Sequence, residues 1–371
     1  MNFRAVDARM GEGVSEGVFP GAVLMLVARG TIAFQETYGQ AALLPASRPM
    51  SRETLFDLSS LTKPLATTAA TLLLIQENRV SLDTKVSSLL PAFSGREKNS
   101  ISLRHLFCHC SGLPAWVPFY ERVDYKEISS PGLLGTDAAK AYVYEEAAKE
   151  PLAYEVGTAT AYSDLGFILL GQIVETLSGD PLDRFCRSRI FDPLGLHHTF
   201  FIPVNSPAPA SAGAFAATEA CPWRQKVMCG QVHDENAYAI GGTAGHAGLF
   251  STAAETHRLV EQWVKAWHGR ETLFHPKLVR EFCRIQEIVP DSTWALGWDT
   301  PSPAGSSSGH YFQDPSMGHL GFTGTSIWID LERRNWVILL TNRVHPSRSN
   351  EKIRKFRPEI HNLAMKALGA A

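Results

Sequence analysis

Alternating hydrophobic and polar residues predict paired β-strands near both ends of the chain. Residues 21–28 (GAVLMLVA) are rich in apolar and β-branched residues, and residues 31–39 (TIAFQETYG) alternate in polarity. Arg29-Gly30 lies between them and is typical of a tight turn, because glycine adopts positive φ without strain. Residues 326–343 (SIWIDLERRNWVILLTNR) repeat the strand–turn–strand pattern. We therefore expect two β-hairpins, one toward each end of the sequence.

Apolar residues spaced three or four positions apart predict helices in much of the remaining chain. Thr252–Glu255 (TAAE) has the capping-box pattern, in which threonine and glutamate side chains satisfy free backbone groups at a helix start. Two stretches rich in Pro, Ala, Ser and Gly, residues 203–232 and 301–309, are expected to be surface connections. The other predicted helical segments are residues 65–78, 136–150, 164–179, 180–191 and 352–368.

This order of strands, then helices, then strands and a helix again predicts the α+β class. We expect an α/β sandwich, in which helices flank an antiparallel sheet that both ends of the chain build together. A mainly helical subdomain would be inserted between the two strand-forming parts. On this basis residues 5–368 form one domain, with residues 1–80 and 240–371 in the sheet part and residues 81–239 in the helical part.

The composition is that of a globular protein with a large core, and it indicates no polyanionic partner. Of the 371 residues, 44% are hydrophobic and 19% are charged, and the formal net charge is -2. Nucleic acid and anionic membrane surfaces are therefore not expected partners. No apolar run is long enough to predict a membrane span.

The cysteines and the first residues of the sequence bear on the compartment. Six cysteines are scattered without paired metal spacing, and Cys108-His109-Cys110 has no second ligand cluster to accompany it, so reduced thiols are expected. The first residues lack the apolar core of a secretory signal. A cytoplasmic location is therefore expected, or a periplasmic one if a signal was trimmed.

The S-x-x-K sequence from Ser60 to Lys63 places a hydroxyl and an amine three residues apart at a predicted helix start. Residues three apart share one face of a helix, so the amine can accept or relay the proton of the hydroxyl. Free backbone N–H groups at a helix N-terminus stabilise developing negative charge. Pro64 fits this position, because near the helix start it removes only the first helical hydrogen bond. A capping serine followed by a solvated lysine gives the same pattern.

Two further segments carry side chains suited to binding and acid–base chemistry. Tyr162-Ser163-Asp164 precedes a predicted helix, and a tyrosine hydroxyl whose pKa a nearby lysine lowers can act as a general base. His319 and Gly321 lead into the strand SIWID, and a glycine in an edge strand lets a substrate approach the backbone. A tyrosine packed in the core, and a glycine-rich turn before a hairpin, also explain the two segments.

Together and in this order, the three segments resemble the β-lactamase/penicillin-binding-protein-like serine hydrolases, whose motifs are S-x-x-K, then Y-x-N, then K-T-G or H-x-G. The resemblance extends over nearly the whole chain. LRHLFCHCSGLPAW (103–116) is similar to the family's L-x-x-L-L-x-H-x-S-G-L-P segment. Residues 232–255 and 341–346 are similar to the class C β-lactamase-like branch of esterases and D-alanyl-D-alanine carboxypeptidase-like proteins.

The resemblance implies an acyl-serine mechanism that needs no metal or cofactor. Ser60 would attack the substrate carbonyl and become acylated, while Lys63 and Tyr162 exchange the proton. The backbone N–H groups of Ser60 and Phe322 would form the oxyanion hole, and His319 would line the pocket. Water would then hydrolyse the acyl-enzyme, so the expected partners are small ester, amide or peptide substrates.

Two positions depart from the family pattern. Asp164 stands where the family has asparagine, and an ionised carboxylate cannot donate a hydrogen bond to a substrate carbonyl. We hypothesise that Asp164 keeps Lys63 protonated, so that Tyr162 takes the proton from Ser60. His319 stands where the family often has lysine, and histidine is mostly neutral at pH 7. Carboxylated substrates such as β-lactams should therefore bind less tightly than simple esters.

His233-Asp234-Glu235-Asn236 and His246 offer a further set of candidate ligands. Their spacing does not match a compact helical metal motif such as H-E-x-x-H, so no metal is expected. The favoured interpretation is a loop that borders the site, with His233 or Asp234 contacting substrate or pinning the loop. A metallohydrolase that uses this region is an alternative.

The leading prediction is a metal-independent serine hydrolase with esterase-like cleavage of a small ester or amide. A D-alanyl-D-alanine carboxypeptidase or a β-lactamase would use the same residues in a different pocket. A non-catalytic binding protein on the same scaffold is the alternative from another class, and the intact Ser60, Lys63 and Tyr162 argue against it. Substrate identity depends on loops such as 115–135 and 203–232, and the sequence leaves the oligomeric state open.

Overall fold

The computed structural model describes residues 1–369 and is built on a six-stranded antiparallel sheet. The pairing of the first strand with the last one joins the two ends of the sequence, so the sheet depends on both. In spatial order the strands are Arg48–Pro49 (β3), Thr31–Ala42 (β2), Gly21–Ala28 (β1), Asn335–Thr341 (β11), Ser326–Asp330 (β10) and Ser316–Leu320 (β9).

Shorter strands form two small sheets beside the main one. Phe56–Asp57 (β4) and Phe200–Phe201 (β5) both pair with Leu249–Ser251 (β8). Ala220–Cys221 (β6) pairs with Lys226–Val227 (β7). The strand β4 lies shortly before Ser60 in the chain, and its pairing with β8 connects that segment to the region that follows His246.

Helices account for most of the remaining regular structure. They are Arg4–Ser15 (α1), Ala69–Gln76 (α2), Val86–Leu89 (α3), Leu103–Phe107 (α4), Phe119–Glu127 (α5), Asp137–Lys149 (α6), Asp164–Ser178 (α7), Leu182–Cys186 (α8), Glu235–Ala239 (α9), Ala253–Trp267 (α10), Pro276–Phe282 (α11) and Ile353–Ala367 (α12). None of the helices in residues 1–369 combines the length and the apolar character that crossing a membrane requires.

The central strand β1 separates two hydrophobic cores. Val23 and Met25 pack into the core that α10 and the helical segments share, whereas Ala22 and Leu24 pack into the core beneath α1 and α12. Burial on both faces explains why the sequence of β1 is an unbroken apolar run. The sheet is therefore a middle layer between helices, and the α+β prediction is confirmed.

Both predicted hairpins and the predicted α10 and α12 helices are present, while other segments differ from expectation. Arg29 and Gly30 have φ angles of 53° and 84° and form the turn between β1 and β2. The helix α1 was not predicted, because its sequence carries few apolar residues. Residues 203–232 are only partly a surface connection, since Phe215 and Ala217 are fully buried against the first core and near β4.

A close backbone approach fixes α7 against the segment that precedes β8. A Cβ atom on Gly245 would lie 2.0 Å from the carbonyl oxygen of Phe167 and 2.9 Å from the backbone nitrogen of Gly171. Thr67 adds a hydrogen bond from its hydroxyl to the Gly245 carbonyl oxygen at 2.7 Å. Glycine at this position therefore allows three chain segments to meet without a side chain between them.

We expect Gly245→Ala to lower the free energy of unfolding by about 1–3 kcal/mol or more, because the methyl group overpacks a backbone contact that cannot relax. Urea unfolding followed by far-UV circular dichroism measures the change. Gly11→Ala is the matched control, since Gly11 lies within α1 with open space around it and should gain up to about 1 kcal/mol. Equal effects of the two substitutions would contradict the prediction.

Candidate active site

A pocket of about 750 Å³ lies where the chain around Ser60, the start of α7 and the end of β9 meet. Trp116 and Trp294 contribute apolar surface to its wall. Lys63 lies beside Ser60 and is fully buried. The sequence-predicted residues that line the pocket are Ser60, Tyr162, Asp164, His233, Asp234, His319, Gly321 and Phe322. The structure thus brings together all of the side chains that the sequence singled out for chemistry.

The backbone around Ser60 is more irregular than the simple helix start that the sequence predicted. Ser59–Leu61 forms one 3-10 turn and Lys63–Thr68 forms a wider π-helical turn, and only then does α2 begin. Ser59 has a φ of 51°, a left-handed conformation that costs a non-glycine residue about 1–2 kcal/mol. The buried carboxylate of Asp57 accepts the Ser59 N–H at 2.8 Å and holds this conformation.

The Lys63 amine is the centre of the site. Its Nζ donates hydrogen bonds to Ser60 Oγ and to the carbonyl oxygen of His246, both at 3.0 Å. A carboxylate oxygen of Asp164 lies 2.7 Å away. Burial lowers the pKa of Lys63, but the charge of Asp164 and the neighbouring Tyr162 outweigh burial and raise this pKa above its ordinary value. Lys63 is therefore an ammonium group at neutral pH.

The Tyr162 hydroxyl interacts with both Lys63 and Ser60. The Lys63 Nζ also lies 4.9 Å from the centre of the Tyr162 ring. Tyr162 is 38% exposed as a whole, but the loss of hydration around its hydroxyl raises its pKa, Lys63 lowers it and Asp164 raises it again, so that the net pKa is above its ordinary value. Lys63 alone would lower the pKa of Tyr162, but burial and Asp164 outweigh its effect. The phenol is therefore protonated at neutral pH.

His109 positions Tyr162, a role that the sequence did not assign. Its Nδ1 accepts the backbone N–H of Ser163 at 3.0 Å. Its ring centre lies 4.7 Å from that of Tyr162 and 4.3 Å from that of Trp294. His109 stands in the 103–116 segment that carries part of the family resemblance, and that segment is the signal that could have pointed to it.

The turn between β9 and β10 brings the Phe322 backbone to the nucleophile. A Cβ atom on Gly321 would lie 2.6 Å from the carbonyl oxygen of Leu58, so glycine allows this approach. The Thr325 hydroxyl donates to the same Leu58 oxygen at 3.0 Å. The Phe322 N–H donates to Ser59 Oγ at 3.2 Å. The second predicted oxyanion donor is therefore at the site, with the Ser59 hydroxyl as its acceptor in this structure.

His319 contributes an uncharged acceptor to the pocket. Its Nδ1 donates to the carbonyl oxygen of Leu320 at 2.8 Å, which leaves a lone pair on Nε2. That nitrogen is buried and has no hydrogen-bond partner among residues 1–369. Burial, together with the charge of Lys63, lowers the pKa of His319 to about 3. His319 is therefore neutral throughout the physiological pH range.

The arginines that line the pocket each contact a carboxylate or a backbone carbonyl group. Arg348 contacts two glutamate carboxylates, and Arg354 pairs with Glu351 at 2.8 Å. Arg343 and Arg357 donate to backbone carbonyl groups. Each arginine of the described chain that lines the pocket therefore has such a partner, and the Lys63 ammonium beneath the pocket pairs with Asp164.

The His233–Asp234 loop is pinned to its surroundings. The His233 N–H donates to a carboxylate oxygen of Asp57 at 2.7 Å, and His233 Nε2 lies 3.1 Å from a carboxylate oxygen of Glu219. Asp234 accepts from His246 Nε2 at 2.9 Å. Both histidine side chains thus have a carboxylate partner, and the loop fixes the His246 backbone that Lys63 contacts.

One set of three candidate metal ligands occurs in the described part of the chain, and it includes neither histidine of this region. It consists of Glu219, Cys221 and Glu235. Arg348 contacts both carboxylates of the set, which therefore act as ion-pair partners of an arginine. No disulfide joins the cysteines within residues 1–369.

Comparisons with known proteins agree with this geometry. A family model described as Beta-lactamase matches residues 4–361. An N-acetylmuramyl-L-alanine amidase from Bacillus subtilis (strain 168) is 33% identical over 374 residues, which cover 92% of this chain and 81% of that protein. A Salmonella heidelberg (strain SL476) protein, provisionally named a D-alanyl-D-alanine carboxypeptidase, is 30% identical over 362 residues, with 90% and 81% covered.

Solved structures share the fold at lower sequence identity. EstCE1, described as a hydrolase with promiscuous acyltransferase activity, has a TM-score of 0.71 and 22% identity, with 95% of this chain and 97% of that chain covered. An octameric penicillin-binding protein homologue from Pyrococcus abyssi has a TM-score of 0.71 and 18% identity, with 100% and 77% covered. These likenesses show the fold, and the family match and the two relatives show that the chain is a serine hydrolase that belongs to the Beta-lactamase family.

Proposed function

We propose that the chain hydrolyses small uncharged esters and amides through an acyl-enzyme formed on Ser60. The observation that carries this proposal is the hydrogen bond from the buried Lys63 ammonium to Ser60 Oγ at 3.0 Å. An ammonium that donates to the nucleophile stabilises the alkoxide as it forms. The Tyr162 hydroxyl, which interacts with the same two groups, is placed to exchange the proton.

In the acylation step, the fraction of Tyr162 that has lost its proton to solvent accepts the Ser60 proton while Ser60 Oγ bonds to the substrate carbonyl carbon. The carbonyl electron pair moves to its oxygen, which the backbone N–H groups of Ser60 and Phe322 receive. Collapse of this intermediate breaks the bond to the leaving alcohol or amine, which takes the proton back from Tyr162. The substrate oxygen thereby replaces the Ser59 hydroxyl as the acceptor of the Phe322 N–H. Water repeats these steps on the acyl-enzyme and releases the acid.

The charged groups that line the pocket already have partners, which supports an uncharged substrate. His319 has no charge, and the arginines that line the pocket have other partners. Trp116, Trp294 and Phe322 present apolar surface suited to an acyl chain. A substrate carboxylate would have to compete with these partners for an arginine, whereas an ester or amide of an apolar acid needs no counter-charge.

Cleavage of a D-alanyl or muramyl peptide amide is a second candidate for the same site. Two relatives at 33% and 30% identity over nine tenths of this chain have names that refer to such substrates. The acyl-serine chemistry is the same, and the leaving group would be an amine in place of an alcohol. A non-catalytic binding role has less support, because the Ser60, Lys63 and Asp164 contacts are those of an activated nucleophile.

A fluorophosphonate should add to Ser60, and Ser60→Ala should abolish the addition and lower kcat/KM for p-nitrophenyl butyrate at least about a thousandfold. The reason is that the substitution removes the atom that forms the covalent bond. Intact-mass spectrometry and peptide mapping locate the adduct. Ser59→Ala is the matched control, because it removes the neighbouring hydroxyl and keeps the nucleophile. An adduct at Ser59, or undiminished hydrolysis by Ser60→Ala, would overturn the proposal.

A carboxylate on the substrate should lower the rate. We expect kcat/KM for p-nitrophenyl butyrate to exceed that for nitrocefin and for mono-p-nitrophenyl succinate by about tenfold or more, which corresponds to about 1.4 kcal/mol of lost transition-state binding. The succinate has a carboxylate in place of the terminal methyl group of the butyrate, so this pair isolates the charge. Faster turnover of nitrocefin and the succinate would instead favour the carboxylated peptide and β-lactam substrates.

Asp164→Asn should move the ascending limb of the pH–rate profile toward lower pH. Asp164 contributes to raising the pKa of both Lys63 and Tyr162, so its neutralisation lowers both. The base is then ionised at a lower pH. Measurement of kcat/KM for p-nitrophenyl butyrate between pH 6 and pH 11 tests the shift. Asp180→Asn, on the surface beyond the end of α7, is the control; an unshifted profile for Asp164→Asn would refute the role given to this carboxylate.

A further inference from the structure

The oxyanion hole of the proposed mechanism depends on a short turn, residues 321–325. The N–H of Phe322 and the carbonyl group of Gly321 belong to the same peptide group, so a charge at the oxygen affects the nitrogen. Gly321 N donates to Thr325 O at 2.8 Å and Gly324 N donates to Gly321 O at 3.1 Å, which closes the turn. What contacts the Gly321 carbonyl therefore influences the donor strength of the Phe322 N–H.

Two buried arginines contact this turn, at different peptide groups. Arg343 donates through Nε and Nη2 to the carbonyl oxygen of Phe322, at 2.9 and 2.6 Å. Arg357, from α12, donates through Nη2 to the carbonyl oxygens of Gly321 at 3.1 Å and Thr325 at 2.9 Å. Of the two, Arg357 therefore contacts the peptide group that carries the Phe322 N–H.

Arg357 is a cation without a matching anion in the described chain. Its side chain is 6% exposed, and the contacts of residues 1–369 include no carboxylate paired with it. Its Nε is buried and has no hydrogen-bond partner in that part of the chain. Burial and the nearby Arg343 lower the pKa of Arg357 to about 9, so it remains protonated at neutral pH. Such a charge is costly unless something in the working enzyme matches it.

We propose that Arg357 is a positioning residue of the oxyanion hole, whose guanidinium polarises the Gly321–Phe322 peptide and so strengthens the Phe322 N–H as a donor to the substrate oxygen. The proposal rests on the acyl-serine function proposed above. A cation at a carbonyl oxygen draws electron density from the amide nitrogen, and hydrogen bonds in such a chain strengthen one another. The negative charge that forms on the substrate oxygen in the transition state is then the counter-charge that Arg357 lacks in the resting enzyme.

This arrangement acts on the transition state more than on the bound substrate. The ground-state carbonyl oxygen carries little charge, so the gain from a polarised donor appears only as the oxyanion develops. Arg357 and the turn are already in place before substrate binds, so little reorganisation is needed during the reaction. Loss of the guanidinium should therefore lower kcat and kcat/KM together and leave KM for a neutral ester nearly unchanged.

The test compares Arg357→Gln with Arg343→Gln. We expect Arg357→Gln to lower kcat for p-nitrophenyl butyrate about 10- to 100-fold, with KM within about twofold of the wild-type value. The acyl-enzyme trapped with p-nitrophenyl trimethylacetate should show its carbonyl stretching band at higher wavenumber in infrared difference spectra, because the hydrogen bond to that carbonyl weakens. Arg343→Gln removes an equally buried guanidinium from the Phe322 carbonyl, which belongs to the next peptide group, so it should shift the band much less than Arg357→Gln does.

Four outcomes would overturn the proposal: an unchanged kcat, a band that moves equally in both variants, a band that does not move in Arg357→Gln, or a loss confined to the carboxylated mono-p-nitrophenyl succinate. The last result would make Arg357 a substrate anchor. If Arg357→Gln does not fold, Arg357→Lys replaces it and Arg343→Lys becomes the control. A lysine keeps the charge but reaches only one carbonyl, so a smaller shift in the same direction is expected.

Failure of this inference is distinguishable from failure of the proposed function. If the wild-type protein forms no adduct at Ser60, the acyl-serine function itself is wrong. If wild-type Ser60 is acylated and Arg357→Gln is acylated at the same rate with the same carbonyl band, only the role of Arg357 is wrong. The two results come from the same mass-spectrometric and infrared measurements on the full chain.

Discussion

A buried ammonium group requires acceptors and a counter-charge, and this site is arranged around that requirement at Lys63. The acceptors come from three separate segments: Ser60 beside it, Asp164 at the start of α7, and the His246 backbone before β8. Each contact draws its segment toward the same point. The charge that prepares the nucleophile therefore also holds together the parts of the chain that form the pocket.

Asp57 serves as a second centre of contacts beside Ser60. Its buried carboxylate accepts the N–H of Ser59 and the N–H of His233, and its backbone oxygen accepts the Thr323 hydroxyl. These bonds stabilise the left-handed backbone of Ser59 and fix the turn that carries Phe322. Strain next to a catalytic residue persists only where the surroundings over-determine it, and Asp57 provides that constraint here.

Local patterns were enough to predict the two hairpins, α10 and α12, while the family resemblance added residues such as Phe322 to those that meet in the pocket. An unbroken apolar run identified β1, because a strand buried on both faces must be apolar throughout, and S-x-x-K identified Ser60 and Lys63. Three features depend on long-range contacts that no local pattern records. They are the irregular turn at Ser59, the contact of His109 with the start of α7, and the opposing effects of burial and charge on Tyr162. Burial and distance decide such effects, and a linear sequence contains neither.

The position of Arg357 in α12, near the end of the chain, has a consequence for the synthesis of the protein. Ser60 emerges from the ribosome 297 residues before Arg357, which corresponds to about 15–60 s at ordinary rates of translation. During that interval β9, its turn and the last helix do not yet exist, so Ser60 lacks the Phe322 N–H proposed as its second oxyanion donor and the Arg357 contact beside it. A nascent chain therefore carries an unassembled site, and the proposed activity appears only when folding of the chain is nearly complete.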